Sequence, residues 1–171
     1  MSKLILVGFM GAGKTTVGQE LAGRIKTIQY DLDQLIEQQL GESIATYFER
    51  NGETVFRSFE TRVLQDYLDT PGILSTGGGI VMQAANRSML GATKATVVYL
   101  RTQPQQLLKR LANDMQRPLL KQLNRETFID LWNYREPLYQ EVANIVVDTD
   151  NLTPSEIADE IVAKISVSED E

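Results

Sequence analysis

The run Gly8-Phe9-Met10-Gly11-Ala12-Gly13-Lys14-Thr15 constrains this chain more than any other feature. It reads glycine, four residues, glycine, lysine, threonine, and it lies between the apolar run Leu4 to Val7 and a stretch in which Val17, Leu21 and Ile25 recur every four residues. Strand, glycine-rich loop and helix in that order make a phosphate cradle. The glycines let consecutive backbone N–H groups curl round phosphate oxygens, the helix N-terminus adds its positive end, and Lys14 supplies a full charge. Gly11, Ala12, Gly13, Lys14, Thr15 and Thr16 are therefore the expected nucleotide-binding residues, with Thr15 also on magnesium. The flanking strand and helix weigh against a merely structural glycine-rich turn.

The rest of the chain alternates short apolar runs with helical patterns, the sign of βαβ units and a parallel sheet covered on both faces. Ile28 and Tyr30 alternate into a second strand ending at Asp31. Residues 33–68 read as helical, punctuated by Gly41 and Asn51-Gly52, with Phe56, Phe59, Val63 and Tyr67 on an inward stripe. Ile73 to Thr76 and Thr96 to Leu100 suit buried strands, and Thr102 with Pro104 opens a helix bearing Leu107, Leu108 and Leu111. The polar stretch from Asn113 to Arg125, interrupted by Pro118, predicts a mobile loop, with a lid over residues 112–125. Trp132 falls on a short helix that Pro137 is expected to end, and Ile145 to Val147 is the last strand. Thr153-Pro154-Ser155-Glu156 is a capping box opening a helix with Ile157, Ile161 and Ile165 on one face. The acidic tail, residues 166–171, reads as a frayed end.

At 171 residues the expectation is one domain spanning 1–171. Seventeen basic and 23 acidic residues give a net charge of -6, which argues against a nucleic-acid partner. No cysteine and no histidine means that any general base is Asp, Glu, Lys or Tyr. Lys3 to Val7 enters a strand without a leader pattern, and no run approaches a membrane span, so a cytoplasmic protein without a membrane partner is expected.

Several further groups carry chemistry. Asp31 and Asp33 fall at the carboxyl end of the second strand, where open α/β sheets bind ligands, and strand alternation would turn both to one side. They read as metal-water and substrate ligands, with a helix cap the alternative for Asp33. Gly77-Gly78-Gly79 follows a strand and implies either a close ligand approach or a tight turn. Arg57, Arg110, Arg117 and Arg135 offer planar donor forks for carboxylate or phosphate, although Arg57 with Glu60 also fits an ordinary (i, i+3) helix pair.

Together with Phe56-Arg57-Ser58-Phe59-Glu60, Arg117-Pro118-Leu119-Leu120 and Arg135-Glu136-Pro137-Leu138-Tyr139, these motifs resemble the shikimate kinases over nearly the whole chain. The resemblance implies a P-loop fold of the nucleoside monophosphate kinase type: a three-layer α/β sandwich with a central five-stranded parallel sheet, a helical substrate-binding region near residues 33–62 and a mobile lid. It implies ATP and shikimate as substrates, magnesium as cofactor, and a monomer. Arg57, Arg135 and the triplet Gly77, Gly78 and Gly79 would hold the shikimate carboxylate and hydroxyls, and Asp33 the ring hydroxyls. Arg117 would be the lid arginine reaching the transferring phosphate, and Arg110 a nucleotide-side contact. Leu32 between the acids and Leu152 on the adenine side depart from the usual family pattern.

The implied reaction is in-line transfer of the ATP γ-phosphate to the shikimate 3-hydroxyl, with Lys14, Arg117 and Asp31 as catalytic residues and Asp31 touching magnesium through water. Asp31 as base and Asp31 as positioner both remain open. Gluconate or nucleoside monophosphate kinases of the same fold, and a nucleotide-dependent switch, are the rivals. The switch reading lacks an Asn-Lys-x-Asp guanine signature.

Overall fold

The structure is a computed structural model that describes residues 3–112 and 124–169. Its sheet strands are β1 (Leu4–Val7), β2 (Gln29–Asp31), β3 (Ile73–Ser75), β4 (Thr96–Arg101) and β5 (Ile145–Asp148). The helices are α1 (Lys14–Ile25), α2 (Leu32–Leu40), α3 (Ile44–Asn51), α4 (Glu53–Tyr67), α5 (Ala84–Ala92), α6 (Pro104–Ala112), α7 (Arg125–Val142) and α8 (Pro154–Glu169), with a 3₁₀ turn at Ile80–Met82.

All strand pairs are parallel, in the order β2-β3-β1-β4-β5. From central β1 the chain crosses to the β2 edge, returns through β3 beside β1, and then continues outward through β4 and β5. The reversal of direction at β1 opens a crevice at its carboxyl end, and the glycine-rich loop starts there.

Side-chain alternation along the buried strands builds two cores. Ile5 and Val7 of β1, with Val97 and Tyr99 of β4, face α2, α4, α6 and α7 through Ile36, Val63, Leu107 and Phe128. Leu4, Leu6, Val98 and Leu100 face the other way, onto Val17 and Leu21 of α1 and Ile157 and Ile161 of α8. The result is the expected three-layer sandwich, with near-continuous apolar strands because both sheet faces are covered. The capping box forms as read: Glu156 N donates to Thr153 Oγ1 at 3.2 Å and Thr153 N to Glu156 Oε1 at 3.3 Å.

Several expectations change. Pro137 does not end its helix, because α7 runs 18 residues with Pro137 inside. The proline removes the N–H that would reach Asn133, a loss of about 3 kcal/mol in an exposed helix. Burial of Phe128, Arg135, Tyr139 and Val142 along α7 outweighs it. The tail from Ser166 is not frayed from its start, since α8 continues to Glu169 and Ser166 Oγ donates to Val162 O at 3.0 Å. Ile28 is 62% exposed and precedes β2, so the edge strand is shorter than its alternation suggests. Helix α5 fills a stretch for which the sequence offered no periodic signal. The lid expected over 112–125 is bounded by helices: Ala112 ends α6, while Asn124 caps α7 by accepting from Thr127 N at 2.8 Å. The rest of that lid, Arg117 included, lies outside the described residues.

Candidate functional site

The loop after β1 is shaped by its glycines. Gly13 sits at φ 93°, in the left-handed region that a side chain would strain, and it is the N-cap of α1. The first helical amides, those of Lys14, Thr15 and Thr16, lie at the N-terminal end of α1, where the helix carries its positive end. Lys14 is folded back along the loop, with Nζ donating to Gly8 O at 2.6 Å and Phe9 O at 3.0 Å. Ala12 stands apart: its N–H is spent on Phe9 O at 3.1 Å and its side chain is buried beneath the loop. Arg110 of α6 reaches the loop from outside, Nη1 donating to Gly11 O at 3.0 Å.

The loop opens into a cleft of about 500 Å³ lined by Gly11, Gly13, Lys14, Thr15, Thr16, Asp31, Asp33, Gly77, Gly78 and Arg110, so the structure brings most of the sequence-predicted residues together. The acidic pair is there by a different route from strand alternation. Asp31 ends β2 and is the N-cap of α2, accepting from Gln34 N at 3.1 Å, whereas Asp33 stands in the first turn of that helix. The residue that caps is thus Asp31, and the intervening Leu32 points into the core. Asp31 also accepts from Thr15 Oγ1 at 2.8 Å, which puts the two expected magnesium contacts against each other.

Among the described residues no cluster of three or more carboxylates, histidines or cysteines is poised for a metal. One hydroxyl and one carboxylate beside a phosphate loop fit magnesium, which keeps several waters and takes few protein ligands.

A second, more enclosed region adjoins the cleft at the glycine triplet. A methyl group on Gly79 would lie 2.3 Å from Arg57 Nη2, one on Gly77 2.9 Å from Asp33 Oδ1, and one on Gly78 3.6 Å from Arg135 Nη1. The bare backbone of Gly77 and Gly79 is what lets Asp33 and Arg57 come so close, whereas the Arg135 distance is an ordinary contact and a side chain on Gly78 would instead meet Met10 N at 3.0 Å. Arg57 pairs with Glu60, Nη1 to Oε1 at 2.9 Å, and Glu60 is only 1% exposed, so this (i, i+3) contact is no surface ion pair. Arg135 is 6% exposed, with its guanidinium carbon 5.3 Å from the Phe9 ring centroid. Arg57 Nε and Arg135 Nε and Nη1 are buried without a hydrogen-bond acceptor. Buried donors of that kind are costly unless a ligand supplies the acceptor.

Burial dominates the electrostatics of the two acids here. Burial raises the Asp33 carboxyl above the usual carboxylate range, and Asp31 adds to the rise while Lys14 and Arg57 oppose it. Glu60 is likewise raised by burial, with Arg57 pulling the other way. Two residues that lie within the sequence motifs, without a site role of their own there, also belong here. Glu60 occupies the inward face of α4 together with Phe56, Val63 and Leu64, and an acid on a buried stripe was its available signal. Tyr139 is buried and donates its hydroxyl to Gly78 O, a contact with no local sequence signature.

Known proteins resemble this chain in sequence and in fold. A family model described as shikimate kinase matches residues 10–166. A shikimate kinase of Enterococcus faecalis is 42% identical over 167 residues, covering 96% of this chain and 99% of that protein. One from Stenotrophomonas maltophilia is 44% identical over 165 residues, covering 95% and 91%. The solved structure of shikimate kinase from Acinetobacter baumannii in complex with shikimate superposes with a TM-score of 0.91 at 38% identity, covering 98% of this chain and 94% of that one. With a phosphate-loop motif beside a cluster of buried arginines, and with similarity along nearly its entire length, the chain belongs to the shikimate kinase family.

Proposed function

We propose that the two halves of this site bind ATP and shikimate and transfer the γ-phosphate to the shikimate 3-hydroxyl, giving shikimate 3-phosphate and ADP for aromatic amino acid biosynthesis. The observation that carries the reading is the set of buried nitrogens on Arg57 and Arg135 that lack acceptors, gathered on the glycine triplet next to the phosphate loop. A ring acid would bring a carboxylate acceptor to those nitrogens, of which Arg57 Nε has only the more distant Glu53 Oε1 at 3.7 Å, and Asp33 beside them suits ring hydroxyls.

On the nucleotide side, the amides of Lys14, Thr15 and Thr16 receive phosphate oxygens, and Lys14 exchanges its loop carbonyls for the β and γ phosphates. Arg110 steadies the loop from the nucleotide side. Thr15 and Asp31 would hold magnesium, the hydroxyl directly and the carboxylate through water; the ion would neutralise charge on the phosphate oxygens. Asp31 also orients the attacking hydroxyl. Transfer of this kind runs through a loose transition state, so positioning matters more than early deprotonation. Arg117 is assigned the lid role by family resemblance. On this reading the protein is a cytoplasmic monomer with no nucleic-acid partner, in keeping with its net charge of -6. Among the described residues no helix is long and apolar enough to cross a membrane.

The test is a coupled assay of ADP release with shikimate, gluconate and nucleoside monophosphates as acceptors. Shikimate alone should support turnover, and Arg57→Ala and Arg135→Ala should each weaken shikimate binding while leaving ATP binding intact. Turnover with a nucleoside monophosphate in place of shikimate would reject the assignment.

A further inference from the structure

We propose that Tyr139 is a positioning residue for the substrate carboxylate, its hydroxyl pinning the Gly78 carbonyl and thereby aiming the Gly79 amide at the anion held by Arg57 and Arg135. The inference rests on the shikimate reading above and deepens it.

Three consecutive glycines have more backbone freedom than any other tripeptide, so a triplet that is to present an amide must be held from outside. Its carbonyls are. Gly77 O accepts from Ile80 N at 3.2 Å and Gly79 O from Met82 N at 3.0 Å, which ties both to the 3₁₀ turn that follows. The middle carbonyl, Gly78 O, is taken by the Tyr139 hydroxyl. In a planar trans peptide the Gly78 C=O and the Gly79 N–H point in opposite directions. A carbonyl fixed toward Tyr139 therefore turns the Gly79 N–H away from it. Arg57 lies directly against Gly79, its Nη2 only 2.3 Å from where a Cβ on that residue would stand.

Tyr139 is itself rigid. It is 1% exposed, and its ring stacks on Tyr99 with centroids 5.0 Å apart and planes 23° apart. It follows Arg135 by one helical turn on α7, so the two side chains project from the same face. The Arg135 guanidinium faces the phenolic oxygen and favours its ionised form, yet burial outweighs that pull and keeps the phenol protonated well past neutral pH. The one proton of the hydroxyl is thus available to Gly78 O. Packing alone would accept phenylalanine here, and a buried hydroxyl is costly unless bonded. A single residue on the arginine-bearing face of α7 in this way orders the amide side of the carboxylate site.

The experiment is steady-state kinetics of Tyr139→Phe with shikimate and with its carboxamide analogue, alongside Tyr99→Phe as a control that leaves the Gly78 contact in place. Tyr139→Phe should raise KM for shikimate on the order of tenfold, with kcat and KM for ATP within about twofold. The preference of the wild type for the acid over the amide should shrink by a similar factor, and Tyr99→Phe should keep that preference. Should the phenylalanine variant not fold, 4-aminophenylalanine at position 139 restores a donor to Gly78 O and should restore KM to within about threefold of wild type. An unchanged KM for shikimate, equal losses for acid and amide, or a fall in kcat alone would overturn the proposal. Wild-type protein that does not phosphorylate shikimate would instead overturn the functional reading beneath it.

Discussion

The Thr15 hydroxyl donates to the Asp31 carboxylate across 2.8 Å, joining the first turn of α1 to the cap of α2. One acid thereby serves the fold as a helix cap and the site as a partner of the phosphate-loop threonine. Asn also caps helices well, so Asp31→Asn separates the two roles. The variant should stay folded, with a melting temperature within about 2 °C of wild type. Its turnover should fall on the order of a hundredfold while ATP still binds, read by ADP release and by calorimetric nucleotide titration. Turnover near wild type would remove Asp31 from the chemistry.

Asp33 supplies a prediction in pH. Its carboxyl is raised first by burial and then by Asp31, so ionised Asp33 opposes folding. For a group raised in the folded state, the stabilising contribution is complete below the unfolded carboxylate range and is lost as pH rises through the folded value. Asp33→Asn removes that loss. The variant should melt about 2 °C or more above wild type near pH 8, with the gain fading as the pH falls toward 4, and it should bind shikimate poorly. A pH-independent difference in melting temperature would show that the acid is not strained in the native state.

Where chemistry is encoded locally, the sequence is readable. The cradle from Gly8 to Thr15 is a run of backbone requirements in chain order, and the Thr153-Glu156 box is closed by residues three apart. Apolar strands such as Leu4–Val7 announce the sheet because both of its faces are buried. The anion site is not readable residue by residue. Arg57 comes from α4, Arg135 from α7 and the triplet from the end of β3, and only the fold brings them together, so their roles come from family resemblance. Pro137 misleads because tertiary burial overrides a local rule. Asp33 misleads in phase, since the helix starts at Leu32 and ends the strand alternation one residue early.

The buried pair of Arg57 and Glu60 should reveal itself in stability as well as affinity. Removing one member leaves the other, here a carboxylate only 1% exposed, without its counter-charge. Loss of one partner of a buried pair costs roughly 3–5 kcal/mol, or about 6–20 °C in a domain of this size. Arg57→Ala should therefore melt well below wild type at pH 8. The deficit should be smaller at pH 5, where the raised Glu60 carboxyl takes a proton more readily, and Arg57→Ala with Glu60→Gln should recover part of it. Thermal melts of the single and double variants at both pH values decide this. Equal deficits at pH 5 and pH 8 would mean that the arginine acts through packing.

Gly79→Ala probes the convergence most directly. The residue lies at φ -90° and ψ 7°, a region open to L-residues, so the main effect of alanine comes from the added methyl group. That methyl would fall 2.3 Å from Arg57 Nη2 and 2.6 Å from its guanidinium carbon, too close for any real contact. The backbone is held by the Gly79 O bond from Met82 N, so the side that moves is the arginine. Displaced, Arg57 loses its aim at the substrate and weakens its bond to Glu60. KM for shikimate should rise at least tenfold, whereas the phosphate loop touches neither group and KM for ATP should change less than about twofold. Steady-state kinetics with each substrate varied in turn gives both numbers. A rise confined to KM for ATP would place the triplet on the nucleotide side and contradict the site described above.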